Sequence, residues 1–380
     1  MPLKTDILIV GAGLSGLAAT WQLQSAAVNA SVMEGRDRVG GRILTVGRDE
    51  GADCDLGPSW FWPGQPLVAS LLKHFSIPHY EQFADGDVML QQPGGRIERS
   101  PGPSPMAGSR RIEGGINHLV DAIADQIDAP RQFFAHRVTG LSIDGDRITV
   151  DVRGPSGKIQ VQARQVVLAI PPRLAAELIF TPELPAAVMQ TLTATPTWMA
   201  GYAKFFAVYD EPFWRQQGLC GTAFSQRGPL AEIHDASPVS ANTFSLFGFS
   251  GLDAQSRAAL GKAEFVKQAT TQLAELFGAR ANSPTMVYFQ DWSCERFTAS
   301  AADHLTQTRH PQYGLNLQLG NDWDGKLEFI STEASFSNGG LVEGALESGL
   351  SFARRITGLD LAHLDDSYTP HNASIDWDWL

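Results

Sequence analysis

A glycine-rich turn directly after a short apolar strand constrains the fold of this chain more than any other feature of its sequence. The stretch DILIVGAGLSGLAATWQLQ predicts a buried strand from Ile7 to Val10, followed by a turn and a helix. Gly11, Gly13 and Gly16 have the GxGxxG spacing, which permits a tight turn, a close approach to a pyrophosphate and helix packing on the strand. The pattern predicts an α/β fold that begins with a Rossmann βαβ unit.

An acidic residue stands at the end of the second predicted strand, the position at which dinucleotide-binding folds bind a ribose. Glu34 would accept a hydrogen bond from a ribose hydroxyl there. A carboxylate at this point also disfavours a cofactor that carries a 2′-phosphate. The glycine turn and Glu34 together therefore predict a dinucleotide site without a 2′-phosphate.

Composition narrows the class of protein. The chain has 380 residues, of which 43% are hydrophobic, so it can bury a large core and form two domains or one domain with a large insertion. Its formal net charge of -12 argues against a nucleic acid partner, because phosphate binding depends on clustered Lys and Arg. The three cysteines are far apart and in no CxxC pattern, which indicates reduced thiols, and no histidine pair has metal-ligand spacing, so no metal site is predicted.

The start of the sequence and the length of its apolar segments predict where in the cell the protein is located. The sequence enters its first strand within a few residues of Met1, which leaves no room for a secretory leader. Every apolar segment is interrupted before the roughly 20 residues that a membrane helix needs. We therefore predict a cytoplasmic protein with no membrane partner.

The order of predicted elements indicates that the nucleotide-binding domain is discontinuous. Alternating strands lead to Pro171 and Pro172, a predicted domain crossing, and a late strand from Leu327 to Ser331 with a following helix that ends near Gly358 returns to the same domain. We predict a nucleotide-binding domain over residues 1–78, 110–172 and 312–380, and a mixed α+β substrate domain over residues 79–109 and 173–311.

A second glycine motif follows the ribose acid. The stretch EGRDRVGGR resembles the second dinucleotide motif of the superfamily of FAD-binding amine oxidases and phytoene desaturases. Gly40 and Gly41 would keep side chains away from the cofactor, while Arg42 would neutralise pyrophosphate charge. The alternative is a solvated, arginine-rich turn. The resemblance implies that the dinucleotide is FAD.

Further motifs along nearly the whole chain resemble those of flavin monoamine oxidases, and specifically a short bacterial-type member without a membrane anchor. They are GADCDLGPSWFWPGQ, RIEGGINHL, VVLAIPP, EPFWR and STEASFSNGGLVEGALESG. The residues that these motifs and the dinucleotide motifs assign to FAD are Gly11, Gly13, Ser15, Gly16, Glu34, Arg36, Gly41, Arg42, Gly57, Pro58, Ser59, Val138, Trp292, Glu333, Leu341 and Val342.

The resemblance also implies separate roles for some of these residues. Glu333 would lie at the ribityl or phosphate region, and Val138 would contact the adenine through its backbone. Trp292 would lie near the flavin, with an ordinary aromatic core residue as the alternative. The helix that begins at GGLVEGALESG would lie beside the isoalloxazine, where its positive end suits a reduced flavin.

A lysine interrupts the apolar stretch YAKFFAVY. Lys204 would share a strand face with Tyr202, Phe206 and Val208, so neither face of this strand is clearly polar. A buried ammonium must find a partner or lose its proton. Lys204 matches the lysine that holds a water near flavin N5 in the family, and it is the predicted catalytic residue. The alternative is an edge-strand lysine whose ammonium group reaches solvent.

The sequence also departs from the monoamine oxidase pattern. Ala301 stands where those enzymes carry the cysteine that attaches FAD, so we expect FAD to be bound non-covalently. The two tyrosines that enclose the amine correspond to about Ala302 and to Leu341, so that aromatic cage is expected to be absent. The region between WFWPGQ and RIEGG is shorter than in those relatives, which predicts a more open cavity.

The resemblance implies an FAD-dependent oxidoreductase. Hydride would pass from the carbon next to the nitrogen of a small amine to flavin N5, and dioxygen would reoxidise the flavin to give hydrogen peroxide. The alternatives are a flavin dehydrogenase or desaturase with another acceptor, a renalase-like oxidase of nicotinamides, and a non-catalytic binding protein with an FAD fold. The sequence leaves the substrate and the oligomeric state open.

Overall fold

Two β-sheets organise the chain in this computed structural model, which describes residues 3–240, 242–305, 307 and 309–359. The end of the third predicted nucleotide-binding segment, residues 360–380, lies outside the described residues. The strands are β1 (Leu3–Val10), β2 (Ala30–Met33), β3 (Thr45–Val46), β4 (Cys54–Asp55), β5 (His79–Glu81), β6 (Asp87–Gln91), β7 (Ile97–Ser100), β8 (Arg110–Ile112), β9 (Gln132–Phe133), β10 (Arg137–Asp144), β11 (Arg147–Gly154), β12 (Gly157–Leu168), β13 (Ile179–Thr181), β14 (Ala203–Tyr209), β15 (Leu219–Ser225), β16 (Leu230–Asp235), β17 (Phe244–Ser250), β18 (Met286–Asp291) and β19 (Leu327–Phe329).

The helices lie mostly between these strands in the sequence. They are α1 (Leu14–Ser25), α2 (Pro66–His74), α3 (Asn117–Ala124), α4 (Pro172–Ala175), α5 (Ala186–Ala194), α6 (Phe213–Gln216), α7 (Ala254–Leu260), α8 (Lys262–Phe277), α9 (Gly320–Trp323) and α10 (Val342–Thr357). No helix in the described part of the chain has the length and apolar character needed to cross a membrane.

The first sheet has the order β13, β10, β11, β12, β1, β2, β9, and β19 pairs with β12. β1 pairs in parallel with both β12 and β2, which is the arrangement of a βαβ unit. Side chains alternate between the two faces of β1: Ile7 and Ile9 pack in the core with α1, α3 and α10, whereas Leu8 and Val10 pack in the core with α5. Both faces are covered, as is usual for parallel strands.

Helices α1 and α10 pack closely against one another beside this sheet. A Cβ atom added at Gly349 of α10 would lie 2.2 Å from the backbone oxygen of Ser15, so only glycine permits this approach. α10 ends where predicted, at Gly358, whose φ of 66° is the left-handed conformation common after a helix. The middle of α10 therefore lies against the N-terminus of α1, which directly follows the turn after β1.

The second sheet has the order β18, β14, β17, β16, β15, β6, β7 and is antiparallel except between β15 and β6. Phe205 and Ala207 on one face of β14 pack in a core with Phe265 and Leu273 of α8. Phe206 and Val208 on the other face share a core with the segment around Cys54 and Leu56. The loops of the first sheet therefore cover one face of the second.

The two sheets divide the chain at nearly, but not entirely, the same residues as the predicted domains. The β6–β7 hairpin, from the predicted substrate segment 79–109, belongs to the second sheet. β13 lies in the range 173–311 but pairs with β10 of the first sheet, and Val188 and Leu192 of α5 pack in the same core. Residues up to about 194 thus lie with the first sheet. The domain boundaries themselves stay a prediction.

Candidate active site

A cavity of about 550 Å³ is lined by residues of both sheets. The turn after β1, the second glycine motif and the first residues of α10 contribute from the first sheet, and β14, β16 and β17 contribute from the second. All of the residues that the sequence assigns to the site line this cavity except Gly16 and Glu333. The cavity is therefore the candidate active site.

The glycine turn is shaped by close approaches between backbones. Gly11 has a φ of 108°, and a Cβ added to it would lie 2.7 Å from the backbone oxygen of Ala169, which directly follows β12. A Cβ at Gly16 would lie 2.0 Å from the Gly11 oxygen, which explains why Gly16 packs behind the turn and not in the cavity. Gly13 differs, because a Cβ there would have no atom within 4 Å. The space in front of Gly13 is left to a ligand.

The second glycine motif packs directly on this turn. The Gly40 N–H donates a hydrogen bond to Ala12 O at 2.8 Å, and a Cβ at Gly41 would lie 3.2 Å from the Cα of Gly13. Arg42 reaches the cavity and makes a two-point ion pair with Glu333, with distances of 2.7 and 3.1 Å. Glu333 is fully buried behind Arg42. The structure thus gives Glu333 a contact with Arg42 where the sequence predicts one with the cofactor.

Glu34 lies at the cavity wall with both carboxylate oxygens engaged. Oε2 accepts a hydrogen bond from Ala12 N and Oε1 accepts one from Arg36 N, both at 2.8 Å. Arg36 is held in turn by Glu295 and Thr298. Each carboxylate oxygen can accept a second hydrogen bond, so these contacts orient Glu34 and leave it able to bind a hydroxyl.

Several residues at this end of the cavity were missed by sequence reasoning. Val138 lines the cavity as predicted, but its neighbours His136 and Arg137 line it too, and so does Arg153, which pairs with Arg137 across β10 and β11. Arg296 is a further cation in the lining. The only available signal was the position of His136 and Arg137 beside Val138.

Lys204 lies in an inner strand of the second sheet. β14 pairs with β17 on one side and β18 on the other, so the edge-strand alternative for Lys204 is wrong. The ammonium nitrogen donates hydrogen bonds to Gly57 O at 2.9 Å and to the hydroxyl of Ser59. It also lies 4.1 Å from the centre of the Phe247 ring. Burial lowers the pKa of Lys204 well below its ordinary value, and Asp55 acts in the opposite direction.

The predicted flavin-side residues surround this lysine. Gly57, Pro58 and Ser59 line the cavity, as do Leu341 and Val342 at the start of α10. Trp292 lines it as well and donates a hydrogen bond from Nε1 to Leu56 O at 2.8 Å. This hydrogen bond ties the tryptophan to the loop that Lys204 contacts.

A carboxylate stands in the same wall as Lys204. Lys204 pairs with Phe249 on β17, and Phe249 pairs with Glu232 on β16, so the three form one row across the sheet. Directly paired residues of antiparallel strands point to the same face, and neighbouring strands are about 4.8 Å apart. The backbones of Lys204 and Glu232 are therefore about 10 Å apart. All three residues line the cavity.

Buried polar contacts hold Glu232 and its strand in place. His234 lies 2.6 Å from Oε1 of Glu232 and is fully buried. The neighbouring Asp235 accepts hydrogen bonds from Trp214 and Arg215, each at 2.7 Å, which gives a structural role to the motif EPFWR. No motif in the sequence marks Glu232; its place follows from strand register.

The two positions at which the family pattern has the tyrosines of the aromatic cage differ in their placement. Leu341 lines the cavity, whereas Ala302 does not, and neither does Ala301 or the exposed Cys294. Six aromatic side chains from other positions line the cavity instead: Trp60, Trp62, Trp198, Tyr202, Phe249 and Phe297. Trp60 and Trp62 belong to the motif GADCDLGPSWFWPGQ, whereas Trp198 and Phe249 belong to none of the family motifs.

The cavity fits a flavin dinucleotide. α1 has no side-chain cap and no acidic residue in its first turn, so its free N–H groups can bind a phosphate. The first-turn acid of α10, Glu343, accepts hydrogen bonds from Leu67 N and Val68 N at the start of α2, which leaves the N-terminus of α10 open. The Ser331 hydroxyl lines the cavity, is buried and has no hydrogen-bond partner among the described residues. A bound ligand would supply one.

Comparison with known proteins identifies the family of the chain. The family model for flavin containing amine oxidoreductases matches residues 14–108 and 104–357. Amine oxidase [flavin-containing] B of Sus scrofa is 25% identical over 94% of this chain and 86% of its own length.

Solved structures give the same fold. Putrescine oxidase bound to putrescine has a TM-score of 0.77 and 23% identity, covering 94% of this chain and 100% of that one. Cyclohexylamine oxidase from Brevibacterium oxydans has a TM-score of 0.78 and 20% identity, covering 93% and 99%. The predicted fold class and family resemblance are confirmed. The chain belongs to the flavin containing amine oxidoreductase family and is an FAD-dependent oxidoreductase that acts on amines.

Proposed function

We propose that this protein oxidises amines that carry a second positive charge, with dioxygen as the electron acceptor. The observation that carries the proposal is the position of Lys204. It is a buried polar group in the apolar wall of the same cavity that contains the uncapped N-terminus of α1. The residues of the first sheet that line the cavity can bind a dinucleotide, and Lys204 lines the cavity from the second sheet.

The first sheet would hold the cofactor. The N-terminus of α1 and Arg42 would bind the pyrophosphate, and the open space at Gly13 would let it approach the backbone. Glu34 would bind the ribose, and Val138 would contact the adenine. Glu333 would keep Arg42 in position through their ion pair.

The second sheet would provide the chemistry of the substrate end. FAD, when bound, accepts a hydride from the carbon next to the amine nitrogen and passes the electrons to dioxygen, which gives hydrogen peroxide. Lys204 would hold a water at the flavin, and the aromatic wall with Leu341 would exclude other water. Positioning of this kind needs no acid–base pair.

Glu232 would select the substrate. Its carboxylate is the acidic group in the same row as Lys204, at a backbone distance of about 10 Å, with the aromatic Phe249 between them. An amine with a protonated second group a few carbons away could place that group at Glu232 while its other end lies near Lys204. Putrescine, bound in one of the structural relatives, has two amino groups.

A substrate panel tests the proposal. Purified protein is mixed without oxygen with monoamines, diamines and amino acids, and loss of the flavin colour is followed. We expect diamines to bleach the flavin with the highest kcat/KM, and air to restore the colour with release of hydrogen peroxide. No bleaching by any amine would refute amine oxidation, and reoxidation only by a quinone would refute dioxygen as the acceptor.

A further inference from the structure

Three buried ionisable side chains meet behind the loop that Lys204 contacts. Lys204 of β14 and Arg111 of β8 are each 2% exposed, and Asp55 of β4 is 1% exposed. Asp55 Oδ2 lies 3.5 Å from Arg111 Nη2. Lys204 donates to the Ser59 hydroxyl, which itself lies 3.4 Å from the backbone oxygen of Asp55. The Asp55 carboxylate therefore contacts Arg111 directly, and it also raises the pKa of the nearby Lys204.

Burial raises the pKa of Asp55, whereas Arg111 and the remaining hydrogen bonds of Asp55 act in the opposite direction and favour the anion. Oδ1 accepts hydrogen bonds from the Thr45 hydroxyl at 2.6 Å and from Ile116 N at 3.0 Å. Arg111 is poorly satisfied by comparison, because its Nε and Nη1 have no hydrogen-bond partner among the described residues. Arg111 also interacts with the Tyr80 hydroxyl, so Asp55 is the carboxylate that serves as its counter-charge.

Other ionisable groups nearby act on Lys204 more weakly than Asp55. Glu232 also raises the pKa of Lys204 but ranks below Asp55 among the causes, and Asp235 makes a two-point ion pair with Arg215. Burial raises the pKa of the Cys54 thiol and of the Tyr80 hydroxyl, so both are neutral.

Charge balance decides which cation gives up its proton. An unpaired charge in a buried site is unstable relative to its neutral form. Arginine stays protonated under all ordinary conditions, whereas a buried lysine readily loses its proton. We propose that Arg111 is a charge-setting residue: by taking Asp55 as its own counter-ion, it keeps Lys204 in the neutral amine form.

The hydrogen bonds of Lys204 agree with a neutral amine. Such a group has two N–H bonds, and Gly57 O and the Ser59 hydroxyl accept two hydrogen bonds from it. Its lone pair is then left for a third partner in the cavity. A neutral Lys204 can accept a hydrogen bond or a proton from a water or a substrate ammonium, which a protonated lysine cannot do.

The charge of Lys204 can be measured directly by NMR. The chain contains seven lysines, so lysine labelled with ¹³C at Cε gives few signals, and the signal lost in Lys204→Met assigns residue 204. We expect this carbon, in the protein with its flavin bound, to titrate well below the other six. If it titrates together with them, Lys204 is charged and the proposal is wrong. The measurement needs no substrate, so it is independent of the proposed reaction.

Substitutions then test the part that Arg111 plays. In Arg111→Met we expect the Lys204 titration to move up towards the other lysines, and in Asp55→Asn we expect it to move down. Arg110→Met is the matched control, because it removes a guanidinium from the opposite side of the same strand. An unchanged titration in a folded Arg111→Met would overturn the role of Arg111. If that variant does not fold, Asp55→Asn carries the test, and a titration that does not move in it has the same meaning.

Discussion

The two ends of the cavity are built in different ways. The cofactor end consists largely of backbone atoms within short motifs: the Gly40 N–H of the second glycine motif donates a hydrogen bond to Ala12 O of the first turn. The substrate end consists of side chains on separate strands, such as Lys204 and Glu232, which strand register brings into one row. The cofactor end can therefore be read from sequence spacing, whereas the substrate end depends on how strands pair.

This difference has a functional consequence. Backbone contacts recognise groups that every FAD molecule carries, namely the pyrophosphate and ribose, and they vary little with side-chain identity. Side chains on strands can be exchanged without changing the fold. Under the proposed function, substrate choice can therefore change at Glu232 and the aromatic wall while the cofactor end stays the same.

The largest expected effect is the complete release of FAD on denaturation, because no covalent bond to the flavin is predicted. Because Ala301 replaces the attachment cysteine, and because neither Ala301 nor Cys294 lines the cavity, FAD should be released completely on denaturation. Acid precipitation followed by absorbance of the supernatant measures this. Yellow colour that stays in the pellet would reveal a covalent bond.

The second largest effect is expected for Glu34→Ala, which should lower the affinity for FAD. A charge-assisted hydrogen bond contributes about 1.5 to 3 kcal/mol, so FAD affinity should fall by roughly one to two decades. The variant should fold when FAD is in excess. Titration of the apoprotein by flavin fluorescence tests this, with the exposed Glu98→Ala as control. An affinity equal to that of the wild type would remove Glu34 from the site.

Gly13→Ala tests whether the open space in the turn belongs to the cofactor. The added methyl group meets no protein atom within 4 Å, and the φ of -71° suits alanine, so the apoprotein should be as stable as the wild type. FAD affinity should nevertheless fall about tenfold, since overpacking costs about 1.4 kcal/mol or more. Gly94→Ala, which also adds a methyl group to open space, is the matched control. Equal FAD affinity in Gly13→Ala would show that the space is not used.

Glu232→Gln tests whether the carboxylate of Glu232 binds the second amino group of a diamine. Glutamine keeps a hydrogen-bonding group but removes the charge, a difference of about 1 kcal/mol, so kcat/KM for a diamine should fall about fivefold. A monoamine of the same length should be unaffected. Glu211→Gln, at an exposed ion pair, is the control. Equal losses for diamine and monoamine would mean that Glu232 does not bind the second amino group.

The sequence predicted much of the cofactor end and little of the substrate end, for reasons that particular residues illustrate. Glu34 and Arg42 follow the glycine turn at fixed short spacings, so their motif could be recognised. Glu333 could be assigned to the site but not to its partner, because its ion pair with Arg42 joins residues 291 positions apart. Glu232 belongs to no motif and reaches the cavity only through the pairing of β14, β17 and β16.

Elements of the fold that depend on local sequence patterns could also be predicted, whereas those that depend on strand pairing could not. The first strand, the helices α1 and α10 and the glycine at Gly358 follow local patterns and were predicted. The pairing of β13 with the first sheet could not be predicted, since a three-residue strand has no sequence signal of its own. Likewise, the apolar stretch around Lys204 indicated a buried strand, but only its pairing on both sides excluded a sheet edge.

The measurement that tests the central claim most directly is stopped-flow kinetics of Lys204→Met. Methionine keeps the apolar stem and removes the nitrogen, so the variant should fold and bind FAD, with Lys267→Met at an exposed site as control. Anaerobic flavin reduction should change modestly, and reoxidation by dioxygen should slow by roughly ten- to a hundredfold, which corresponds to about 1.4 to 2.7 kcal/mol. Unchanged rates in both half-reactions would contradict the claim that Lys204 acts at the flavin.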